Sequence, residues 1–479
     1  MFTGWVTCDR RTRSCWSRSP ARIAATRSRP AASSWITSRR TRRSGRRRST
    51  RRATPAGWTP ARATRSHVGA GSPISIEPGG PRVESVERVI ERLAEWIGPL
   101  GETERVPVLE SVGRVLAEPL TAPRDVPIAP LSLFDGYAAA GPLVSGTSLP
   151  VVGKQFAGDA PARLESGTAM RIFTGALLPE GADTVIAQES VTVEDGRARW
   201  DEDVSLGAGV RATGADTREG QTLLERGIQI NAAMLGLIAS TGVASIPVSR
   251  RVRVALLTTG DELLAPGEPF APGKIYDANG PMLEVLLKAA GVEIVQRAVL
   301  PDDPTVIDAR LREAAEADLI VTSGGVSVGE ADLVRAGVEA LGRIDHWRIF
   351  LKPGKPLAIG EVLGTPFLGL PGNPVSTFVT YLRFVRTAID RLAGRTNPGA
   401  WPVQPLPLAA ARRGGDRPEY IRVRRVEVDG RVQLEAYPDQ NSGLLSSLAW
   451  ADGLALIPPD ARLAAGDTVE FTAFKELGL

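Results

Sequence analysis

The chain has 479 residues, enough for several domains, and its formal net charge of +4 is distributed very unevenly. Residues 1–66 hold 18 arginines, no lysine and one acid, Asp9, so they carry +17 and the remaining 413 residues carry −13. An acidic body gives no support for nucleic-acid binding, and the absence of cysteine after Cys15 excludes a disulfide framework there. No apolar run approaches the roughly 18–20 residues of a membrane helix. We therefore predict a cytoplasmic protein whose partners are neither nucleic acid nor membrane.

The first 66 residues are rich in Arg, Ser, Thr and Ala and show no amphipathic period. We expect this extension to be disordered, because nothing in it could bury a core. Three origins stay open. An upstream or out-of-frame start in a GC-rich gene would explain the extreme use of arginine over lysine. A transit peptide would also be Arg-rich and acid-poor, and a basic arm would serve interactions.

An N-terminal region is predicted over residues 81–250. A first helix is expected to end at Gly98, since the apolar residues before it recur at helical spacing. These residues are Val86, Val89, Ile90, Leu93 and Ile97. Between about 125 and 212, short β-type runs alternate with Gly, Pro and Asp turns, which predicts a small β-rich module inserted in this region. A helical pattern returns over Ala232–Thr241.

Residues 251–396 alternate strand and helix patterns, which predicts a mostly parallel sheet covered by helices on both faces. The predicted strands are Val252–Thr259, Val292–Leu300, Asp318–Ser323, Ile344–Leu351 and Pro366–Leu370. The predicted helices are Pro281–Ala290, a helix capped by Asp303 with Pro304 at its first position, Ala331–Leu341 and Pro374–Leu392. Short β runs over residues 403–479, with a hairpin turn at Asp429-Gly430, predict a small C-terminal β domain. The expected fold is multidomain α/β: a central, mostly parallel α/β sheet domain, a helical and β-rich N-terminal region and a small β domain.

The unusual motifs of residues 251–396 each follow the carboxyl end of a predicted strand. In open α/β sheets ligands bind in the crevice at those ends, so the motifs are expected to share one rim. In chain order they are Thr259-Gly-Asp-Glu262, Asp302-Asp303, Ser323-Gly-Gly325, Lys352-Pro-Gly-Lys355 and Leu370-Pro-Gly-Asn373.

Two of these motifs predict binding of an anion such as a phosphate. The Gly-rich segment Thr322–Asp332 follows a buried strand and opens a helix, so its backbone N–H groups can form an anion cradle. Lys352 and Lys355 are two of only six lysines in the chain and lie within one hexapeptide. The only histidines are His67 and His346, so Ser–His or Cys–His nucleophilic catalysis is not expected. The remaining candidates for chemistry are lysines and carboxylates, and carboxylates suit Mg²⁺.

Each motif also has a structural alternative. Thr259–Glu262 could form only a tight strand-to-helix turn, Ser323–Gly329 a flexible connector, and Lys352–Pro356 a solvated turn. Asp303 is expected to be the helix cap and Asp302 the freer carboxylate. Of the two histidines, His67 borders the extension that is expected to be disordered. His346 lies inside a predicted strand and is expected to pack in the core rather than to act in catalysis.

Further motifs occur in the same order and spacing as in a known family. The chain from Pro81 to Leu479 resembles the molybdopterin molybdenumtransferase family, which includes the gephyrin C-terminal region. Besides the two anion motifs, the resemblance rests on Phe134-Asp-Gly-Tyr137, Arg171-Ile-Phe-Thr-Gly-Ala176, Pro179-Glu-Gly-Ala-Asp183, Thr259-Gly-Asp-Glu262 and Leu370-Pro-Gly-Asn-Pro-Val-Ser376.

The resemblance implies a reaction and a role for each matching residue. The family inserts molybdate into adenylated molybdopterin and releases AMP, a reaction that needs Mg²⁺. The implied metal ligands are Asp261, Glu262 and Asp302. The implied catalytic residues are Asp135, Thr174, Asp261, Glu262, Lys352 and Lys355. The implied substrate-binding residues are Ser323, Gly324, Gly325, Ser327, Asp216, Asp332, Pro371, Gly372, Asn373, Arg417 and Ser442.

The resemblance also implies partners. The pocket would be shared between the subunits of a homodimer, with Asp135, Thr174 and Asp216 contributed by the second subunit. Transient contacts with molybdopterin adenylyltransferase and with molybdoenzymes are implied as well.

The segment Ala129–Phe134 departs from the family pattern, which usually reads Phe-Asp-Asn-Ser-Ala-Met. Pro130 and Leu131 replace the Asp and Asn, whereas Ser132 remains. Two alternatives therefore stay open. One is an enzyme like molybdopterin adenylyltransferase, although those enzymes resemble only the middle domain. The other is a non-catalytic molybdopterin-binding or scaffold paralogue, which the loss of two polar groups would favour.

Overall fold

The computed structural model describes residues 83–325 and 333–479, and for residues 345–348 it describes the backbone alone. The Arg-rich residues 1–66, the implied site residues Ser327 and Asp332, and the side chain of His346 lie outside the described part.

A seven-stranded sheet forms the centre of the chain, as the alternating pattern predicts. Four of its six strand pairings are parallel, so the prediction of a mostly parallel sheet is confirmed. In spatial order its strands are Val83–Glu84, Gly342–Ile349, Pro356–Val362, Thr365–Leu370, Leu319–Ser323, Arg253–Thr259 and Glu293–Leu300.

Two strands of this sheet were not predicted, the two-residue edge strand Val83–Glu84 and the longer strand Pro356–Val362. Pro356–Val362 runs antiparallel to both neighbours and joins the next strand through Leu363-Gly364. Both turn residues have positive φ, 50° and 90°, as a tight hairpin turn requires, but Leu at such a position is uncommon. The turn therefore lacked the Asn-Gly or Asp-Gly signal that marks a hairpin in a sequence. The expected strand Ile344–Leu351 also begins and ends two residues earlier, at Gly342–Ile349.

Helices cover both faces of the sheet, because neighbouring strand residues point to opposite sides. Val254 and Leu256 pack into one buried cluster, whereas Ala255 and Leu257 pack into another. The first cluster includes residues of helices Val86–Trp96, Asn279–Ala289, Pro374–Thr380 and Arg386–Leu392. The second includes residues of helices Pro304–Ala314 and Leu333–Leu341.

The predicted helix Pro374–Leu392 is continuous but contains one wider turn. Residues Pro374–Thr380 are α-helical, Tyr381–Val385 form a π-helical turn, and Arg386–Leu392 resume the α-helix. The predicted cap at Asp303 is confirmed, since its carboxylate accepts hydrogen bonds from the N–H groups of Thr305 and Val306.

The N-terminal region contains a six-stranded sheet and several two-stranded pairs. The strands of the six-stranded sheet are Gly136–Ala139, Ser148–Gln155, Ala169–Ile172, Thr184–Ala187, Thr192–Glu194 and Arg197–Arg199. The pairs in this region are Thr103–Pro107 with Ser245–Ser249, Leu120–Thr121 with Thr222–Leu224, and Leu131–Ser132 with Val210–Arg211. Helix Ala232–Ser240 matches the predicted helical pattern. Short 3₁₀ turns lie at Val108–Glu110 and Gln188–Ser190.

A five-stranded antiparallel sheet closes the chain. Its strands are Gln404–Pro407, Glu419–Val428, Arg431–Ala436, Gly453–Ile457 and Thr468–Ala473. Asp429 and Gly430 have φ of 49° and 71° and form the predicted hairpin turn. Helix Ser446–Trp450 and the 3₁₀ turn Phe474–Leu477 accompany this sheet, and two smaller pairs complete the strands: Leu263–Leu264 with Ile275–Tyr276, and Arg412–Arg413 with Arg462–Leu463. The exact limits of the predicted domains stay predictions. In the described part of the chain, no helix is long and apolar enough to cross a bilayer.

The π-helical turn is expected to contribute to stability through Tyr381. Its buried hydroxyl donates a 2.7 Å hydrogen bond to the Leu286 carbonyl, and burial raises the pKa of the phenol well above its usual value. Tyr381→Phe removes this donor and should lower stability by about 1 kcal/mol. The matched control is Tyr437→Phe, whose exposed hydroxyl makes only a 3.5 Å contact with Ser446. Thermal melting of both variants checks this, and equal melting temperatures would contradict it.

Candidate functional site

The carboxyl ends of five strands lie at the same edge of the seven-stranded sheet. The strands ending at Thr259, Leu300, Ser323 and Leu370 are mutually parallel, so they end together. Strand Pro356–Val362 is antiparallel both to the strand ending at Ile349 and to the strand ending at Leu370. The strand ending at Ile349 therefore runs in the same direction as the other four and ends at the same edge. The five sequence motifs all begin at this edge, which we call the rim.

The Gly-rich turn at the rim requires glycine at two positions. Gly324 and Gly325 have φ of 86° and 63°, a region that L side chains rarely adopt. A Cβ on Gly324 would lie 2.9 Å from the Thr259 carbonyl oxygen, and a Cβ on Gly325 would lie 2.8 Å from Val334. The backbone of this turn can thus approach its neighbours, or a ligand, more closely than any other residue would allow.

Ser323 is buried and its hydroxyl is used within the protein. It donates to the Pro371 carbonyl over 3.2 Å and accepts a 2.9 Å hydrogen bond from the amide of Asn279. The same amide donates to the Gly372 carbonyl over 2.7 Å. Asn279 therefore joins the turn after Ser323 to the turn after Leu370, and the Gly324 N–H adds a 3.2 Å hydrogen bond to the Leu370 carbonyl.

Sequence reasoning missed Asn279 because the helix was expected to begin at Pro281. The helix begins two residues earlier, and the buried carboxylate of Asp277 accepts a 2.8 Å hydrogen bond from the Gly280 N–H. The same carboxylate accepts a 3.1 Å hydrogen bond from the hydroxyl of Thr258. An Asp and an Asn ahead of the helix were the signal for an earlier start.

Two implied metal ligands are neighbours at the rim. The Asp302 N–H donates to the Asp261 carboxylate over 3.0 Å, and the Asp261 N–H lies 3.5 Å from the Asp302 carboxylate. The carboxylate of Glu262 instead folds over Gly260, within the space that a Cβ there would need. Among the described residues no group of three or more Asp, Glu, His or Cys side chains is arranged to hold a metal ion. The three implied ligands therefore do not form a ready-made cluster, although Mg²⁺ is usually held by only one or two carboxylates together with phosphate and water.

The lysine motif opens into a cavity of about 600 Å³ between the rim and the C-terminal sheet. We call it the lysine cavity. Five of the implied site residues line it: Lys352, Lys355, Asn373, Arg417 and Ser442. The structure thus brings together residues that lie up to 90 positions apart in the sequence, and it adds Arg412, Glu419 and Asn441 to the same wall.

Backbone hydrogen bonds hold the two sides of the lysine cavity together. The Lys352 N–H donates to the Pro418 carbonyl over 2.9 Å, and the Tyr420 N–H donates to the Lys352 carbonyl over 2.8 Å. Arg417 donates from its guanidinium to the Leu351 carbonyl over 3.3 Å. The lysine loop and strand Glu419–Val428 therefore form one continuous wall.

The loop that carries Ser442 rests on a buried arginine. The guanidinium of Arg422 donates to the Ser447 hydroxyl over 2.9 Å and to the Asn441 carbonyl over 3.0 Å. Its backbone N–H donates to the Gln440 side chain over 2.9 Å. Burial lowers the pKa of Arg422 to about 10, so the group stays charged at neutral pH. Arg422 thereby fixes one wall of the cavity from behind.

Asp135 and Thr174 form a separate pair in the N-terminal region. One Asp135 oxygen accepts hydrogen bonds from the Thr174 N–H over 2.9 Å and from its hydroxyl over 2.8 Å. These two bonds, the backbone one foremost, lower the pKa of Asp135 below its ordinary value. The exposed carboxylate of Asp216 lies 4.0 Å from Arg211. None of these three implied residues is among the described residues that line the lysine cavity of the same chain.

Three segments of the chain match known family regions. Residues 84–242 match the MoeA N-terminal region (domain I and II), residues 255–391 match a probable molybdopterin binding domain, and residues 407–474 match the MoeA C-terminal region (domain IV). Over 391 residues the chain is 36% identical to the molybdopterin molybdenumtransferase of Haemophilus influenzae, covering 78% of this chain and 95% of that protein. The chain belongs to the molybdopterin molybdenumtransferase family.

Other members of the family show the same extent of similarity. The chain is 35% identical to the molybdopterin molybdenumtransferase of a Nostoc species, covering 79% of this chain and 90% of that one. The crystal structure of the molybdopterin biosynthesis MoeA protein from Pyrococcus horikoshii OT3 superposes with a TM-score of 0.69 at 27% identity, covering 82% of this chain and all of that one. The expected family and multidomain α/β fold are thus confirmed.

The segment that departs from the family pattern is part of ordinary secondary structure. Leu131 and Ser132 pair with strand Val210–Arg211, and the Pro130 carbonyl accepts a 2.9 Å hydrogen bond from Leu178. The Ser132 hydroxyl donates to the Phe134 carbonyl over 2.6 Å. The segment therefore leads into Asp135 through a paired strand that carries Leu131, with Pro130 just before it.

The Asp135–Thr174 pair gives a titration that can be measured. Thr174→Val removes the hydroxyl donor but keeps the backbone N–H, so the pKa of Asp135 should rise toward its ordinary value of 3.8 without reaching it. Because the native pKa is depressed, the pair stabilises the fold above the ordinary pKa, and this contribution is lost as the pH falls through the native value. Thr174→Ser keeps the hydroxyl and should leave the pKa unchanged. Carbon-13 NMR titration of labelled aspartates checks this, with Asp135→Asn identifying the resonance, and an unchanged pKa in the valine variant would contradict it.

Proposed function

We propose that the chain is a molybdopterin molybdenumtransferase that inserts molybdate into adenylated molybdopterin and releases AMP. The observation that carries this proposal is the lysine cavity, where Lys352, Lys355, Arg412 and Arg417 converge together with Asn373 and Ser442. Four cations around 600 Å³ suit an oxyanion or phosphate, and family membership supplies the reaction.

Lys355 is the cation most available to a ligand. Within residues 83–325 and 333–479, no carboxylate forms an ion pair with its ammonium, whereas Lys352 lies 3.1 Å from Glu419. Arg417 donates to the Leu351 carbonyl over 3.3 Å and to the exposed Asp416 carboxylate over 3.4 Å, and its other N–H groups are available to a ligand in the cavity. Molybdate oxygens would bind Lys355, Arg417 and Ser442, with Asn373 at the start of the following helix.

The phosphates of the adenylated substrate would bind at the Gly-rich cradle. Gly324 and Gly325 have no side chains to block a ligand, although the Gly324 N–H already donates to the Leu370 carbonyl over 3.2 Å. Pro371, Gly372 and Asn373 form the neighbouring segment. Ser323 and Asn279 hold these two turns in register. The chain thus orients the phosphates by backbone geometry, and the lysines neutralise charge that develops when the pyrophosphate bond breaks.

Asp261 and Asp302 fit a Mg²⁺ ion in number and type. Each uses one carboxylate oxygen toward the other's backbone N–H, which leaves a second oxygen on each for a metal. Bound Mg²⁺ would neutralise phosphate charge. Glu262, next in the chain, would join them if its side chain turned away from Gly260.

A second subunit would complete the pocket. Asp135, Thr174 and Asp216 lie outside the lysine cavity of their own chain, and a C2 homodimer would bring them to the partner's rim. Transient binding to a molybdopterin adenylyltransferase and to molybdoenzymes, and a cytoplasmic location, complete the proposal.

One observation favours a second candidate function. Pro130 and Leu131 present no polar side chain where the family usually presents an Asp and an Asn, which suits a non-catalytic paralogue that binds molybdopterin. The two candidates differ in turnover, so a direct assay separates them.

The assay is release of AMP from adenylated molybdopterin at varied Mg²⁺ and molybdate. Lys355→Ala should slow release by a factor on the order of 10²–10³, because it removes a cation that stabilises developing charge. Lys355→Arg should restore little, since a planar fork does not replace a compact ammonium. Asp261→Asn should raise the Mg²⁺ concentration needed for half-maximal rate.

Lys475→Ala is the control, because this lysine is exposed and does not line the lysine cavity. If folded Lys355→Ala and Asp261→Asn proteins keep nearly full rates, the rim is not the catalytic site. If the unaltered protein releases no AMP, the non-catalytic candidate replaces the transferase.

The shared pocket predicts recovery of activity in mixed dimers. Asp135→Ala and Lys355→Ala are each expected to be inactive, but a heterodimer of the two contains one intact pocket. Re-assembled equal mixtures should therefore regain about a quarter of wild-type activity. A mixture of Lys352→Ala with Lys355→Ala should regain none, because both defects fall on the same side. Absence of recovery in proven heterodimers would exclude a pocket built in this way.

A further inference from the structure

Glu419 is a buried carboxylate in the wall of a cavity otherwise suited to anions. Only 3% of the residue is exposed, and it lines the lysine cavity. Its Oε1 atom lies 3.1 Å from the Lys352 ammonium and 3.8 Å from the Arg412 guanidinium. Yet this oxygen is buried and has no hydrogen-bond partner among the described residues. Glu419 thus offsets the positive charge of Lys352 and Arg412, although neither side chain donates a well-aligned hydrogen bond to its Oε1 atom.

The position of Glu419 is fixed by the backbone. It lies between Pro418 and Tyr420, whose carbonyl and N–H groups are both bonded to Lys352. The main chain of Glu419 is therefore held beside that of Lys352, and its buried side chain lies between Lys352 and Arg412.

The net charge of the residues that line the cavity consequently matches that of a dianion in magnitude. Lys352, Lys355, Arg412 and Arg417 are opposed by Glu419 and by the exposed Asp439, which leaves a net charge of +2 among the described lining residues. Without Glu419 this charge would be +3, and a dianion would be held more tightly. A substrate that must be transferred gains nothing from very tight ground-state binding, since this raises the barrier to the next step.

We propose that Glu419 is a built-in counter-ion that limits how tightly the lysine cavity holds an oxyanion dianion, so that the dianion remains available for transfer. This inference rests on the proposed function, in which the cavity receives molybdate. The effect is electrostatic, so it must grow with the charge of the ligand.

Two tetrahedral oxyanions of similar size test the charge dependence. Tungstate carries −2 and perrhenate −1, and their dissociation constants can be measured by calorimetry on the full-length protein. Glu419→Gln should bind tungstate about tenfold more tightly and perrhenate only about threefold more tightly, because removal of a negative charge favours the dianion more. Glu427→Gln is the matched control. It makes the same change on the same strand, but its carboxylate is exposed and does not line the lysine cavity, so both constants should change less than about twofold.

Glu419→Asp gives a second variant if the glutamine variant does not fold. The shorter side chain withdraws the charge from the two cations, so tungstate affinity should lie between those of the wild type and the glutamine variant. Kinetics of AMP release at varied molybdate add a separate readout. Glu419→Gln should lower both KM for molybdate and kcat, whereas a residue that only held Lys352 in place would raise KM when removed.

The outcomes separate this inference from the proposed function. If wild-type protein binds tungstate but Glu419→Gln binds it equally or more weakly, Glu419 is not a limiting counter-ion and the transferase proposal stands. The same conclusion follows if the glutamine variant cannot be made and Glu419→Asp shows no gain. If the wild type binds no tungstate, the cavity does not receive oxyanions, and the inference fails together with the observation that carries the proposed function.

Discussion

Two backbone hydrogen bonds around Lys352 set the geometry on which the site depends. They join a loop of the seven-stranded sheet to the first residues of the long strand Glu419–Val428 in the C-terminal sheet. Because the bonded atoms belong to the main chain, the junction does not vary with side-chain rotamers. The lysine cavity is the space left beside this junction. The cations that line the cavity therefore come from two separate sheets. The hydrogen bonds around Lys352 fix the relative position of these sheets next to the cavity.

The alternation of strand and helix was enough to predict the central sheet, its parallel character and the edge at which the motifs gather. The pattern failed at strand Pro356–Val362, because its turn uses Leu363 in a conformation that favours glycine or asparagine. The consequence for the site is small for a topological reason. The unpredicted strand runs away from the rim, and Thr365–Leu370 runs back to it, so the motif after Leu370 still meets the others. The prediction that the five motifs meet at the rim is therefore unaffected by the failure to predict strand Pro356–Val362.

Site residues that belong to a local sequence motif could be predicted. Site residues that act only through tertiary contacts could not. Adjacent glycines after a buried strand and two lysines in six residues are local signals, and Gly324, Gly325, Lys352 and Lys355 were found from them. Asn279, Arg412 and Glu419 belong to no motif. Each acquires its role only by contact with residues far away in the sequence, as when Arg412 and Lys352 approach the same carboxylate. Such roles follow from the way the sheets pack, which composition and spacing do not encode.

The charge of the body and the charge of the cavity have opposite signs, and this sets how an anion is selected. The residues after position 66 carry −13, whereas the described lining of the lysine cavity carries +2. At physiological ionic strength charges are screened over about 8 Å, so the distant acidic surface contributes little once an anion is inside. Long-range attraction cannot therefore collect the substrate. Selection depends instead on contacts within the cavity, where the separation of individual charges by a few ångströms decides the energy. A single buried carboxylate among four cations therefore affects the binding energy of an anion more than any distant surface charge does.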